Sequence, residues 1–163
     1  MKSETDSNIK KHFLYPSSII VSAEPCEITT ILGSCVAVCI FDPFLAIGGI
    51  NHYMLPLWNG VGLESPKYGN IAIEKLIIKL VLNGSKRKNL RAKIFGGSEL
   101  LQYLSYPIGT RNIEIAEKML KGEGIPILAS SVGGKFGRKI IFNTGTGEVR
   151  LYFIQNNNDQ TLS

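Results

Sequence analysis

The spacing of hydrophobic and polar positions changes several times along the chain, and each change predicts an element. Val36 to Phe41 is an apolar run, Asp42-Pro43-Phe44-Leu45 is a turn signal, and a second apolar run leads to His52. Two such runs around a short Pro-containing loop predict a β-hairpin with a four-residue loop. Upstream, Ser18–Ala23 and Glu27–Ile31 predict short strands around Glu24-Pro25. Ile73, Leu76, Ile77, Leu80 and Val81 recur at helical spacing, which predicts a helix over 70–83 capped by Asn70 and stopped by Gly84. A strand is expected at Arg91–Phe95. A second helix is expected from Thr110 or Arg111 to Lys121, with Ile113, Ala116 and Leu120 as its buried stripe. Ile125–Ser131 predicts a strand, and Arg138–Phe142 with Glu148–Ile154 a closing hairpin. Residues 1–16 are polar and charged and predict a flexible N-terminal arm. Residues 156–163 predict a polar disordered tail, leaving 17–155 as one domain. The early hairpins, without regular βαβ alternation, imply a single-domain layered α/β fold with largely antiparallel strands and helices packed outside.

Continued outward, a symmetric register about the first hairpin loop pairs Phe41 with Ala46 and Cys35 with His52. Directly opposed residues have Cβ atoms roughly 5 Å apart, which sets a candidate nucleophile beside a candidate base. An ion pair between them would hold the thiol below its free value of about 8.5. A one-residue slip would turn the two side chains to opposite faces. Taken alone, Cys35 also fits a small buried hydrophobe, and His52 a satisfied histidine near a strand end. Leu32-Gly33-Ser34 interrupts the strand pattern just before Cys35. Amide groups of Gly33, Ser34 and Val36 would there form an oxyanion pocket, or the segment is an ordinary connection. Two further stretches are candidates for the walls of such a site: the Gly- and Pro-punctuated segment 57–69, and the region of Gln102, Tyr103, Ser105 and Tyr106.

With 163 residues and 44% hydrophobic content, the chain is long enough for one sizeable core. Cysteines at 26, 35 and 39 form no regular disulfide framework, which suits a reducing cytoplasm. Cys35 and Cys39 on one strand would lie about 13 Å apart, too far to share a metal, and no other ligands complete a set. No cofactor is expected either: Gly133-Gly134-Lys135 lacks phosphate-loop spacing. The N-terminus has no apolar signal core, and the most apolar helical stretch is interrupted by Glu74 and Lys75, so no secretion signal and no membrane insertion are expected. The net charge of +5 implies an acidic partner. No nucleic-acid motif or aromatic platform accompanies the basic groups, so nucleic acid is not the partner expected.

The segments LGSCVAVCIFD (32–42), INHYMLP (50–56), KIFGGSELL (93–101), IGTRNI (108–113), GIPIL (124–128) and VGGKFGRKIIFNTGTGEVR (132–150) carry more than any one of them alone. Together they resemble the CheD family, the chemoreceptor glutamine deamidases of bacterial and archaeal chemotaxis, from about residue 18 to about 155. The resemblance implies that this layered fold is an α/β sandwich, with a Cys35 nucleophile, a His52 base and Thr29 as the residue that orients the histidine. It implies a cytoplasmic, monomeric enzyme whose partners are the Glu-rich cytoplasmic helices of chemoreceptors, with a CheC-type phosphatase as a further partner. It also implies receptor methylesterase activity by the same acyl chemistry. Lys67, Lys135 and Arg138 are then candidates for the partner surface, with a place held within the sheet as the other reading of Arg138. A non-catalytic adaptor for receptors or a CheC-type phosphatase is the alternative, and a cysteine amidase of small molecules or exposed peptides is another. Where the family carries an acidic residue before the Val-Gly-Gly turn, this chain has Ser131. That departure bears on turn structure or partner binding more than on chemistry.

Overall fold

The structure is a computed structural model that describes residues 8–99 and 106–155. Among these, the chain forms β1 (Lys10–Phe13), β2 (Ser18–Ser22), β3 (Cys26–Leu32), β4 (Val36–Asp42) and β5 (Ile47–His52). Then come α1 (Gly69–Leu82), β6 (Arg91–Gly96), α2 (Ile108–Gly122), β7 (Ile127–Val132), β8 (Gly137–Asn143) and β9 (Val149–Ile154). The strands make two sheets, ordered β1-β3-β8-β9 and β2-β5-β4-β6-β7. The β1–β3 and β6–β7 pairs are parallel, and the other five are antiparallel.

The two sheets pack face to face, and both helices cover the five-stranded sheet on its far side. Strand β4 is therefore buried on both faces, which explains why its sequence is continuously apolar rather than alternating. Val36, Val38 and Ile40 meet Leu76 and Leu80 of α1 and Leu120 of α2. Ala37, Cys39 and Phe41 turn the other way, toward Ile28, Leu32, Ile140 and Phe142 of the four-stranded sheet. A fully buried aliphatic chain such as Ile40 contributes about 1.5–3 kcal/mol by leaving water, so this strand is the axis of both core layers. The helices leave the outer face of the four-stranded sheet uncovered, where Ile31 and Tyr152 stand exposed.

Three boundaries differ from expectation, each for a local reason. In the β4–β5 hairpin, Asp42 pairs with Ile47 and Cys39 with Ile50, and a bridge joins Val36 to Tyr53. The register is thus shifted by two residues from the symmetric one, which would have paired Phe41 with Ala46 and Cys35 with His52. Asp42 causes the shift. Its buried Oδ1 accepts hydrogen bonds from Phe44 N (2.8 Å) and Leu45 N (3.2 Å), closing the loop on the aspartate itself. Ala46 completes the reversal at φ 54. At α1, Asn70 caps nothing: its Oδ1 accepts Trp58 N at 2.9 Å and ties down the preceding loop. Within the N-terminal stretch expected as a loose arm, Lys10–Phe13 is a strand, aligned with β3 so that His12 sits beside Ile28. The tail expected at 156–163 lies outside the described residues, as do Gln102, Tyr103 and Ser105.

Candidate active site

Cys35 lies at the entry to β4 and His52 at the exit of β5, on the face turned toward the four-stranded sheet. With the observed register, Ala37 stands opposite His52, and Cys35 lies diagonally from it. The shift of two residues preserves the side-chain face, since strands alternate with period two. It changes the relation from directly opposed to diagonal, about 7–8 Å between backbones and still within reach of an imidazole. Cys35 is partly exposed, and His52 is 2% exposed.

The tautomer of His52 follows from counting protons. Thr30 Oγ1 donates its single hydrogen to Leu14 O at 2.8 Å. The same oxygen lies 2.7 Å from His52 Nδ1, so here it must accept, and Nδ1 carries the proton. Nε2 then holds a lone pair, and it is buried with no hydrogen-bond partner among the described residues. That is the state required of a general base. Burial lowers the His52 pKa to about 4, so the ring is neutral near pH 7.

The hydroxyl that meets His52 is that of Thr30, not of Thr29 as expected. Cys26, Ile28, Thr30 and Leu32 point into the space between the sheets, whereas Thr29 faces outward on the same strand. This period-two signal was present in the sequence and identifies the inward threonine. The N-terminal segment also belongs to the site: Leu14 O fixes the Thr30 hydroxyl, and Ser17 N donates to His52 O at 2.8 Å. Thr30→Val is expected to lower kcat about tenfold by releasing the imidazole, with Thr29→Val within about twofold of wild type; steady-state assays of both variants check this.

The thiol differs from the expected ion pair. Burial pushes the Cys35 pKa up, and the residue's own backbone N–H offsets only part of that shift. The resting pair is therefore a neutral thiol beside a neutral imidazole. Since burial disfavours the thiolate, its fraction at pH 7 is smaller than for a free cysteine. Iodoacetamide labelling of Cys35, followed by mass spectrometry, is expected to keep accelerating above about pH 8.5. A plateau below neutral pH would show an ion pair instead. Cys39, wholly buried, is pushed up much further by its burial.

Of the three expected oxyanion donors, Val36 is excluded, because its N–H donates to Tyr53 O at 3.1 Å. Gly33 and Ser34 are held through their carbonyls: Gly33 O accepts Ser98 N at 3.0 Å, and Ser34 O accepts Asn112 Nδ2 at 2.9 Å. The amide best placed beside the sulfur is that of Cys35 itself. Cys35 O accepts Gly97 N at 2.9 Å, so the Gly96-Gly97 corner of β6 props Cys35 from behind. Asn112 was not among the expected site residues, although it lies one turn before Ala116 on the buried stripe of α2. A polar residue on an apolar stripe is the signal that would have found it.

On the rim, Lys67 and Lys135 are exposed. Arg138 is not a surface residue: it is 4% exposed, donating to Ser131 Oγ at 3.1 Å and Gly133 O at 2.8 Å, with its guanidinium 5.2 Å from the Phe153 ring. It braces the turn after β7, and Ser131 serves turn structure as its partner.

A half-buried thiol, a neutral imidazole whose Nε2 has no partner among the described residues and a hydroxyl behind it share one face of a two-sheet α/β domain, a set of groups that suits nucleophilic acyl transfer. The family model described as "CheD chemotactic sensory transduction" matches residues 54–152. A Trichlorobacter lovleyi protein named "Probable chemoreceptor glutamine deamidase CheD" is 52% identical over 153 residues, 93% of this chain and 95% of that one. Proteins of the same name from Sulfurimonas denitrificans and Rhodospirillum rubrum are 44% and 40% identical, over 90% and 91% of this chain and 96% and 85% of theirs. The chain belongs to the CheD family. Among solved structures, the Bacillus licheniformis protein YfiH aligns with a TM-score of 0.49 at 16% identity, over 72% of this chain and 51% of that one. No helix among the described residues is long and apolar enough to cross a membrane.

Proposed function

We propose that this protein is a cysteine-dependent protein-glutamine deamidase acting on the cytoplasmic helices of chemoreceptors. The observation that carries the chemistry is the deprotonated Nε2 of His52, without a partner among the described residues, on the same face as Cys35. The substrate follows from relatives named as chemoreceptor glutamine deamidases across nearly the whole chain.

In the reaction, His52 Nε2 takes the Cys35 proton as Sγ attacks the carboxamide carbon of a glutamine. The tetrahedral intermediate collapses as the imidazolium gives its proton to the departing nitrogen, releasing ammonia and leaving a thioester. Water, deprotonated by His52, attacks that thioester; glutamate leaves and the thiol is restored. One water is consumed and one ammonia produced for each carboxamide converted to a carboxylate. A neutral resting pair suits this cycle, because proton transfer accompanies attack and the buried imidazolium, disfavoured by desolvation, readily returns its proton. A glutamate methyl ester would follow the same path with methanol as the leaving group. Lys67 and Lys135, exposed on the rim, are suited to meeting an acidic helix surface.

Incubating the protein with a receptor cytoplasmic fragment is expected to add about 1 Da per converted glutamine, with one ammonia released for each, by peptide mass spectrometry and an ammonia assay. A fragment whose mass stays unchanged while the protein is folded would refute the proposal. Conversion of free glutamine at a comparable rate would point to a small-molecule amidase.

A further inference from the structure

Asn112 lies in the second turn of α2 and is completely buried. Its Nδ2 donates to two carbonyls at once, Ser34 O at 2.9 Å and Met54 O at 3.0 Å. Its own carbonyl accepts the Tyr53 hydroxyl at 2.5 Å. One side chain thus joins the residue before Cys35 to the segment that follows His52. Its Oδ1 has no partner among the described residues. A buried amide with an unpaired oxygen is costly, and a leucine would fill similar space without that cost. What a leucine lacks is the forked donor.

The donor acts on one particular peptide. Ser34 O and Cys35 N belong to the same peptide unit, and the described chain has no cis peptide bonds. In a trans peptide the carbonyl and the N–H point in opposite directions. Anchoring Ser34 O on Asn112 therefore directs Cys35 N–H away from the helix, and that N–H is the donor that meets the Cys35 sulfur. The next peptide is fixed as well, since Cys35 O accepts Gly97 N. A hydrogen bond to the carbonyl also polarises the peptide and strengthens its N–H as a donor.

We propose that Asn112 is a positioning residue for acyl transfer: by holding Ser34 O, it aims the Cys35 amide at the oxyanion of the tetrahedral intermediate. The proposal rests on Cys35 being the nucleophile. A donor set in advance stabilises the developing charge without reorganising during reaction, and such donors act mainly on the chemical step.

The test compares Asn112→Ala, Asn112→Asp and Cys35→Ala on a receptor fragment, with iodoacetamide labelling of Cys35 across pH. Asn112→Ala is expected to lower kcat about 30- to 100-fold with KM within about threefold, a somewhat smaller loss than deleting an oxyanion donor outright. Labelling should shift to higher pH, because the same N–H stabilises the thiolate. Asn112→Asp keeps the volume, so it remains informative should the alanine variant fail to fold. Ionised, it loses the donor and faces two carbonyls. Its kcat relative to wild type at the same pH should recover as pH falls and the carboxyl regains a proton to donate. Folded Asn112 variants with wild-type kcat, a loss confined to KM, or an unmoved labelling profile would overturn the proposal while Cys35→Ala stays inactive. Activity in Cys35→Ala would instead overturn the nucleophile, and this proposal with it.

Discussion

Cys35→Ala is expected to lose deamidation by about 10⁴-fold or more, with the fold intact. Removing a covalent nucleophile takes away the thioester route altogether, and losses in comparable enzymes reach about 10⁶. The remaining rate would come from binding and oriented water alone. The side chain is half-buried at the entry to β4 and only borders the inter-sheet core, so shortening it by one sulfur should cost about 1 kcal/mol or less. Thermal unfolding near that of wild type, together with loss of ammonia release, would separate chemistry from folding. Cys35→Ser is a stricter form of the test. A serine hydroxyl is far harder to deprotonate than a thiol, and an imidazole whose pKa is lowered to about 4 is a weak base for it. The serine variant should therefore fall with the alanine variant. Turnover that persisted in the alanine variant would remove Cys35 from the mechanism.

Gly96→Ala is expected to lower both stability and turnover, whereas Gly33→Ala should change stability little. Gly96 sits at φ +106, in a region that L side chains rarely adopt. A Cβ there would also collide with Cys35 O, and it would lie 3.3 Å from Leu32 Cβ. The obstacle is backbone held from both sides: Gly97 N binds Cys35 O, and the next residue is locked to Tyr53. Backbone strain and collision together should cost about 3 kcal/mol or more. For a chain of 163 residues that corresponds to a fall in Tm of roughly 10 °C. Relief of the collision moves Cys35, and a misplacement of about 1 Å costs about 10²-fold in rate. At Gly33, a Cβ would meet nothing within 4 Å. Calorimetry of both variants, with kcat measured on the folded population at low temperature, checks the contrast. A Gly96→Ala protein as stable as wild type would show that the corner is free to relax.

The elements themselves were largely legible. Period-two and helical spacing located β2 to β9 and both helices within a few residues, because burial of one face leaves a mark every second or every third to fourth position. The same mark separates Thr30 from Thr29, since only even-numbered positions of β3 are buried. The hairpin register was not legible from the apolar runs alone. It depends on where a single aspartate closes its turn, and a shift of two leaves the hydrophobic pattern unchanged. The parallel pairing of β1 with β3 was hidden for a related reason: a four-residue exposed edge strand has no buried face to leave a pattern.

By itself the sequence determined an α/β sandwich with Cys35 and His52 on a common face, because period-two alternation fixes the face whichever even register is chosen. It also brought the resemblance to a family whose named relatives span the chain. The tertiary structure alone decided how those residues are poised. Which nitrogen of His52 carries the proton depends on Leu14, Thr30 and His52 meeting across three strand ends. The thiol is held neutral because partial burial disfavours its ionised form, and desolvation is a property of packing rather than of residue order. The direction of the Cys35 amide depends on a helix residue 78 positions beyond Ser34 in the chain. Hydrophobic periodicity is local and can be read along a strand. Hydrogen-bond accounting and dielectric surroundings are sums over neighbours that only folding brings together.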